Sequence, residues 1–361
     1  MNNLFKLSLN KVESNSFTNQ NDNKFFVRFF SKKINLVFTV LLFLFIIWIL
    51  LSLFLYPYKY DEVVLNSHLS YNLPNIFNPY ITKSFNYDNE YDLIIKLASE
   101  NKIEIIKTVY SENIVSLTYN PYKLINALSL EKNNIEILHF IPWFGTNNEG
   151  YDNYSIFINS FGITILISII SCFIAILVGN SLGTFLAYRF NFNLSIDKLL
   201  ISTISLIPST LISILLFNIF GYKHWLAIII LSIIMIPVFF FSAYPDTKEL
   251  KNSLLIDAYK VNGYSQIKII FNVIFPRVLA RSLSLVIDQF TVVILILSSI
   301  SFYNVEGIKE SLNIGNLFKY ILDNFSDFYL TSLVIFGICF YIVTLKILTV
   351  NLYICSKVVI R

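Results

Sequence analysis

"INLVFTVLLFLFIIWILLSLFL", residues 34–55, is the first long apolar run of the chain. It carries no charged side chain, and about 20 apolar residues are enough to cross the hydrocarbon core as a helix. No small-residue cleavage site follows it, so we expect a first membrane span that is retained. The preceding residues 1–33 contain six Lys or Arg. This excess of positive charge predicts a cytoplasmic N-terminal tail.

The whole composition agrees with this interpretation. Of the 361 residues, 55% are hydrophobic and only 14% are charged, and the mean hydropathy is +0.64. Because only helices satisfy their own backbone in lipid, apart from closed barrels, we expect an all-α polytopic membrane protein. The net charge of +4 is small and its basic residues are scattered, which excludes a nucleic-acid interface. We predict no metal site, because cysteines and histidines are isolated: Cys172, Cys339, Cys355, His68, His139 and His224.

Five further apolar runs predict a total of six spans. Residues 244–281 hold six Lys or Arg, whereas residues 56–155 hold seven Lys against twelve acids. The positive-inside rule therefore places both termini in the cytoplasm, including a C-terminal tail at 351–361. The additional predicted spans are 157–188, 199–220, 225–243, 280–303 and 328–350.

The region at 56–155 is predicted to be extracytoplasmic and to contain a small folded α/β insertion after the first helix. Residues 91–110 have helix-like apolar spacing, residues 112–119 have the pattern of a short strand, and residues 119–130 indicate a turn and a second helix. The alternative is a tether with transient helices.

A second segment, "DAYKVNGYSQIKIIFNVIFPRVL" at 257–279, lies between two of the apolar runs. A helix is predicted to begin at Asp257, Ala258 and Tyr259, and Gly263 suits a bend because it tolerates backbone angles that other residues resist. Ser265 can cap a second helix. Together these signals predict a bent pair of short helices at the cytoplasmic surface, called here the elbow, residues 257–276.

The second helix of the elbow carries an apolar face. Ile267, Ile270 and Phe271 are spaced three and four residues apart, which places them on one side of an α-helix. We expect these three side chains to form a docking surface. Pro276 predicts a kink or an end where the next span begins.

The spacing of the elbow resembles the cytoplasmic signature of permease subunits of ABC importers. That signature is Glu-Ala-Ala, three residues, Gly, nine residues, Ile, one residue and Leu-Pro. The matching positions keep the spacing with relaxed identities: Asp257, Ala258, Tyr259, Gly263, Val273, Phe275 and Pro276. The resemblance implies that the elbow, within a coupling loop at 244–279, docks on an ATPase subunit. It also implies a permease transmembrane domain at 156–350.

A second motif, "GTNNEGYDNYS" at 145–155, resembles a signature found before the second span in one of the two permease subunits of oligopeptide and dipeptide importers. This sequence departs from it where Asn147, Tyr151 and Ile156 replace an Asp and two Arg. The retained positions are Gly145, Thr146, Gly150, Asp152 and Ser155. Further along the same span, Gly179 and Gly183 form a Gly-x-x-x-Gly step that predicts close helix packing.

The resemblance implies a multi-pass protein of the bacterial inner membrane that works with several partners. These are a second permease subunit forming a heterodimer, one or two ABC ATPase subunits, an extracytoplasmic substrate-binding protein and a peptide substrate. The chain has no phosphate-binding loop, so we expect no enzyme activity and no bound cofactor, with ATP and Mg used by the ATPase partner. Nickel or glutathione remain alternative substrates. A secondary transporter and a membrane-anchored interaction protein remain alternative functions.

Asp288 is the one acidic residue inside a predicted span. An ionisable side chain at that depth is a candidate for function because its desolvation is costly. We predict that Asp288 and the adjacent Gln289 line a translocation pathway. The alternatives are a protonated carboxyl group and a hydrogen bond to a Ser or Asn on a neighbouring helix. Pro208 and Pro237 are predicted to shape helix packing.

Overall fold

A computed structural model describes residues 27, 29–65, 68–86, 89–109, 114–132, 140–189, 207–323 and 328–357. The elements in chain order are α1 (Lys33–Leu55), a 3₁₀ turn (His68–Ser70), β1 (Ile81–Asn86), α2 (Asn89–Glu100), β2 (Ile106–Val109), β3 (Ile114–Tyr119), α3 (Pro121–Lys132), α4 (Asn153–Arg189), α5 (Ser209–Phe220), α6 (His224–Lys251), α7 (Leu254–Val261), α8 (Gln266–Phe302), α9 (Ile314–Asp323) and α10 (Phe328–Lys357).

Within the described ranges, five helices are long and apolar enough to cross a membrane: α1, α4, α6, α8 and α10. The structure is thus that of a mostly helical polytopic membrane protein. The predicted third span at 199–220 is described only from residue 207, where α5 provides a shorter apolar helix. Most of the N-terminal tail and His139 also lie outside the described residues.

Three of the spanning helices extend well beyond their apolar runs. α10 continues to Lys357, past the predicted end of its span at 350 and into the predicted C-terminal tail. α6 continues to Lys251, and α8 begins at Gln266, before the predicted start of the span at 280. Most of the predicted coupling loop at 244–279 is therefore helical. The apolar runs predicted helices that are too short. The ends of these helices carry polar side chains on one side and pack against neighbouring helices on the other.

α4 is the central helix of the bundle and packs along α6. A Cβ atom added at Gly179 would lie 2.7 Å from the carbonyl oxygen of Ile236, and one added at Gly183 would lie 2.8 Å from that of Phe240. Only glycine allows the two backbones to approach this closely. The predicted close packing at this Gly-x-x-x-Gly step is confirmed.

Residues 81–132 form a small sheet unit between α1 and α4. Its three antiparallel strands have the order β1-β3-β2, and α2 and α3 share its apolar core, which includes Ile94, Leu117 and Leu124. The strand predicted at 112–119 corresponds to β3. The helix predicted over 91–110 is wrong in its second half, because Lys102 adopts a φ of +53° and the chain continues as β2.

α4 also separates the two parts of the molecule that carry the sequence motifs. It has 37 residues, which corresponds to a length of about 55 Å. Its first turn follows Asp152, and its last residues, Tyr188 and Arg189, lie beside the elbow. The motif at 145–155, called here the helix-start motif, and the elbow are therefore at opposite ends of the bundle.

Candidate functional site

The elbow has the two short arms that its sequence predicts. α7 forms the first arm, and the first turns of α8 form the second. Gly263 joins them with a φ of +78°, a conformation that side-chain-bearing residues rarely adopt. The Ser265 hydroxyl accepts a hydrogen bond from the backbone amide of Lys268 and caps the second arm. The bend is thus set by local backbone chemistry.

The second arm does not end at Pro276. It continues into the membrane span as one helix, α8, with a π-helical turn at Ile270–Ile274 directly before the proline. A proline in an α-helix lacks an amide donor and its ring clashes with the carbonyl group four residues earlier. The wider π-turn accommodates this defect. The arm and the span therefore form one continuous element.

The inner side of the elbow is buried against the ends of α4 and α6. Ile256 on the first arm and Ile270 and Ile274 on the second pack with Tyr188 and Ala243. The prediction that Ile270 belongs to an exposed docking surface is wrong, because Ile270 is only 3% exposed. Tyr188 and Ala243, which cover Ile270, are more than 25 positions away in the chain. Helical spacing alone therefore could not show which side of the helix is buried.

The outer side of the elbow is also apolar, and it is open. Ile267 and Phe271 are exposed as predicted, at 68% and 49%, and they are joined by two residues that sequence reasoning missed, Leu254 at 87% and Val261 at 86%. We call these four side chains the outer apolar face. Ala258 and Asp257 lie between Leu254 and Val261 on the same exposed side of α7.

An exposed ion pair lies beside the apolar side chains of the first arm without covering them. Asp257 forms an exposed ion pair with Lys260 at 2.9 Å, within the first arm. Tyr259 turns its ring against Tyr264 in an edge-to-face contact, with ring centroids 5.1 Å apart. This contact bridges the Gly263 bend and stiffens the angle between the arms.

Polar contacts join the ends of the three helices around the elbow, α4, α6 and α8. The Arg281 guanidinium on α8 lies 3.2 Å from the Asp246 carboxylate and 3.7 Å from that of Glu249, both on α6. Lys251 donates a hydrogen bond of 2.7 Å to the backbone carbonyl of Tyr188. Arg189 donates one of 3.3 Å to Gln266. A displacement of the elbow would therefore be transmitted to α4, α6 and α8 together.

The helix-start motif at 145–155 forms a compact turn. The Thr146 hydroxyl accepts a hydrogen bond from the Leu73 amide and donates one to the Ser70 carbonyl. A Cβ atom at Gly145 would lie 2.0 Å from the Leu73 carbonyl oxygen, so glycine is required at that position. These contacts fasten the start of α4 to the segment that follows α1.

Asp152 caps the first turn of α4 and is fully buried. One carboxylate oxygen accepts a hydrogen bond of 2.7 Å from the Ser155 amide, and the other accepts one of 2.9 Å from the Tyr56 hydroxyl, just after α1. Burial raises the pKa of Asp152 to about 6, although the hydrogen bonds from Ser155 and Tyr56 oppose the shift. Burial, followed by the charge of Asp152, also raises the pKa of Tyr56.

Asp288 forms an ion pair that none of the sequence alternatives included. The Lys346 amine of α10 lies 2.5 Å from its carboxylate. Lys346 was missed, although a single Lys within the apolar run at 328–350 was a signal for it. Gln289 is buried on another side of α8 and is only 8% exposed. Asp288, at 33%, is therefore the more exposed of the two residues that were predicted to line one pathway.

Residues 179–357 match the family model described as a binding-protein-dependent transport system inner membrane component. The matched region runs from the end of α4 through α10 and includes the whole elbow. This part of the chain is therefore similar to permease components of binding-protein-dependent ABC transport systems, and with the apolar helices the match supports a multi-pass inner membrane protein. The motif at 145–155 lies outside the match. No curated protein matches the chain.

Proposed function

We propose that the chain is a permease subunit of an ATP-driven ABC importer for oligopeptides or dipeptides. It forms half of the translocation channel together with a second permease subunit. A substrate-binding protein delivers peptide on the outside, and ATPase subunits bound to the elbow hydrolyse ATP with Mg. In this arrangement the elbow and both termini are cytoplasmic, and the small sheet unit is extracytoplasmic.

The observation that carries the proposal is the outer apolar face of the elbow. Leu254 and Val261 are almost fully exposed on the same side of α7, and exposed apolar clusters of this kind mark protein contacts. The Asp257–Lys260 ion pair on the same arm is exposed, as polar groups beside an apolar interface usually are. An ATPase groove that contains apolar side chains with acidic surroundings would fit this surface.

The continuity of α8 gives the proposed coupling a physical route. The second arm of the elbow and the membrane span are one helix, so a movement of the docked arm changes the position of the span directly. Coupling between two sites requires an element whose position differs between two global states. α8 is that element in our proposal, and its contacts with α4 and α6 extend the movement to the bundle.

The peptide substrate is supported by the motif at 145–155. Its retained residues Gly145, Thr146, Gly150, Asp152 and Ser155 are the ones that resemble peptide importers. In this chain Thr146 and Asp152 tie α1 and α4 together. Uptake assays with dipeptides in competition with nickel and glutathione would test this finer assignment. Competition only by nickel or glutathione would overturn it.

Purification of the intact chain in mild detergent tests the coupling proposal. We expect an ATPase and a second permease to co-purify with it, and we expect Leu254→Asp and Val261→Asp to lose the ATPase at least tenfold. Ile106→Asp is the matched control, because Ile106 is also exposed, at 65%, but lies in β2 of the small sheet unit. Retention of the ATPase by both elbow variants would overturn the proposal. Uptake without any ATPase would favour a secondary transporter.

A further inference from the structure

The outward face of α8 differs in composition from that of α4. Asp288, Thr291 and Ser298 lie along the partly exposed side of α8. The exposed side of α4 is apolar over the corresponding length, with Leu166 at 59% and Phe173 at 62%. An apolar side of this kind suits lipid contact. The side of α8 that carries Asp288 does not, because a charged side chain in hydrocarbon is costly.

An open groove runs along this side of α8. It has a volume of about 480 Å³ and is bounded by α5, α8 and α10. Its wall is more apolar than polar, with the hydroxyl groups of Ser209, Thr291, Ser298 and Ser299 among apolar side chains that include Leu295 and Phe302. Thr291 and Ser299 also donate hydrogen bonds to carbonyl groups of their own helix. Because such bonds can satisfy a hydroxyl in lipid, the hydroxyls alone do not decide what fills the groove.

The Asp288–Lys346 ion pair decides whether lipid or water fills the groove. Asp288 precedes Thr291 by one helical turn and Lys346 follows Ile342 by one turn, so the pair lies at one end of the groove. By helical rise, Asp288 lies about 5 Å and Lys346 about 10 Å from the middle of their predicted spans. The side chains remain 33% and 59% exposed. The Lys346 amine points to Asp288, although a lysine facing lipid normally extends towards the membrane surface.

We propose that this groove is a water-accessible binding site for a zwitterionic solute, such as a peptide with free ends, within the translocation pathway. The inference rests on the proposed function. Asp288 would bind the ammonium group of the solute and Lys346 its carboxylate. In the empty site the two side chains neutralise each other. In the occupied site two ion pairs replace one, so neither charge is left unpaired at any stage.

Cysteine labelling in membranes that carry the assembled transporter tests the water access. The native Cys172, Cys339 and Cys355 are first replaced with alanine, and Ser298→Cys is then compared with Phe173→Cys on the apolar side of α4. We expect a charged, membrane-impermeant thiol reagent to label Ser298→Cys at least tenfold faster. Equal rates would show that the groove faces lipid and would overturn the inference.

Protection from labelling tests the ligand class. The probe is alanyl-alanine, and its N-acetylated and amidated derivative is the control. We expect the free dipeptide to slow the labelling of Ser298→Cys several-fold and the blocked derivative to have no effect. Protection by both, or by neither, would overturn the zwitterion assignment. In Asp288→Asn we expect Ser298→Cys still to be labelled but alanyl-alanine no longer to slow the labelling. This is the result expected if the Asp288 carboxylate binds the amine.

Two further measurements distinguish a folding defect from the loss of the binding site, and a failure of the proposed function from a failure of the binding site. If Asp288→Asn lowers the yield of protein, the double variant Asp288→Lys with Lys346→Asp is used, because it keeps the ion pair in reversed order. We expect normal yield and fast labelling at Ser298→Cys in this double variant, and slow labelling would contradict the inference. Retention of the ATPase by the purified complex is recorded in parallel. If the ATPase is absent while the labelling results hold, the proposed function fails and the binding site does not.

Discussion

Gly263 carries the bend of the elbow through its backbone conformation and not through crowding. Its φ is +78°, and a Cβ atom added there would meet nothing within 4 Å. We therefore expect Gly263→Asn to retain the ATPase, because Asn tolerates the left-handed region, and Gly263→Val to lose it. The strain in Val amounts to about 1–2 kcal/mol. Co-purified ATPase per permease is the measurement, and equal retention by both variants would contradict the expectation.

Asp152 gives the start of α4 a pH dependence. Its pKa is raised from 3.8 to about 6 by burial, so the folded state binds the proton more tightly than the unfolded state. The resulting stabilisation is complete below about pH 3.8 and is lost as the pH rises through about 6. Between pH 7.5 and pH 5 the gain in unfolding free energy is about 1 kcal/mol.

Thermal unfolding of the detergent-solubilised protein at the two pH values checks this expectation. Other acids also titrate, so the relevant quantity is the difference between the wild type and Asp152→Asn. Asn keeps the capping oxygen for the Ser155 amide but has no charge. The change in Tm between the two pH values should be smaller in the variant, because the contribution of Asp152 is missing. An identical shift in both proteins would show that Asp152 does not titrate in this range.

At the scale of the single residue, local signals were sufficient for some positions and insufficient for others. Gly263 and Ser265 act on the backbone beside them, so their roles could be predicted from the sequence. The Asp288–Lys346 pair joins positions 58 residues apart, and no local pattern connects them. Ile270 was assigned to the wrong side for the same reason, because Tyr188 and Ala243, which cover it, come from other helices.

The contact between α4 and α6 is the element-scale feature that is most sensitive to volume. At Gly179 an added Cβ atom would be 2.7 Å from a carbonyl oxygen of α6, whereas at Gly162, in the same helix, it would be 3.4 Å from the flexible side chain of Leu53. The same substitution can therefore be compared at a crowded and an open position of one helix.

We expect Gly179→Ala to lower the Tm and Gly162→Ala to leave it unchanged or raise it slightly. Overpacking costs about 1–3 kcal/mol, which exceeds the gain in helix propensity of about 1 kcal/mol that both changes share. Thermal unfolding in detergent gives the comparison. If Gly179→Ala were as stable as Gly162→Ala, the two helices would have to separate easily at that point.

The elements themselves were predicted with uneven success. Long apolar runs identified α1, α4, α6, α8 and α10 because a membrane span needs little more than length and hydropathy. The π-turn before Pro276 could not be predicted, because a proline after a short helix is equally typical of a helix end. Its presence matters for the proposed coupling, since it makes the second arm of the elbow continuous with the span.

At the scale of the whole molecule, the small sheet unit and the elbow are separated by the length of α4. The unit is joined to the bundle mainly through Tyr122 and Ile125, which pack on Leu65 and Leu73. The backbone amide of Ile76 donates a hydrogen bond to the carbonyl of Trp143. The segment between Ile76 and Trp143 therefore has adjacent ends, and a short linker can replace it.

Removal of the small sheet unit would distinguish the proposed importer from an anchored interaction protein. Residues 78–140 are replaced with a four-residue Gly-Ser linker, and Leu65→Ser and Leu73→Ser prevent the exposure of apolar side chains that the unit covers. We expect full retention of the ATPase, because the elbow lies about 55 Å away, and uptake that is reduced but measurable. The intact chain with both serine substitutions is the control. Complete loss of uptake with a normal ATPase content would show that the sheet unit is the working part of the molecule.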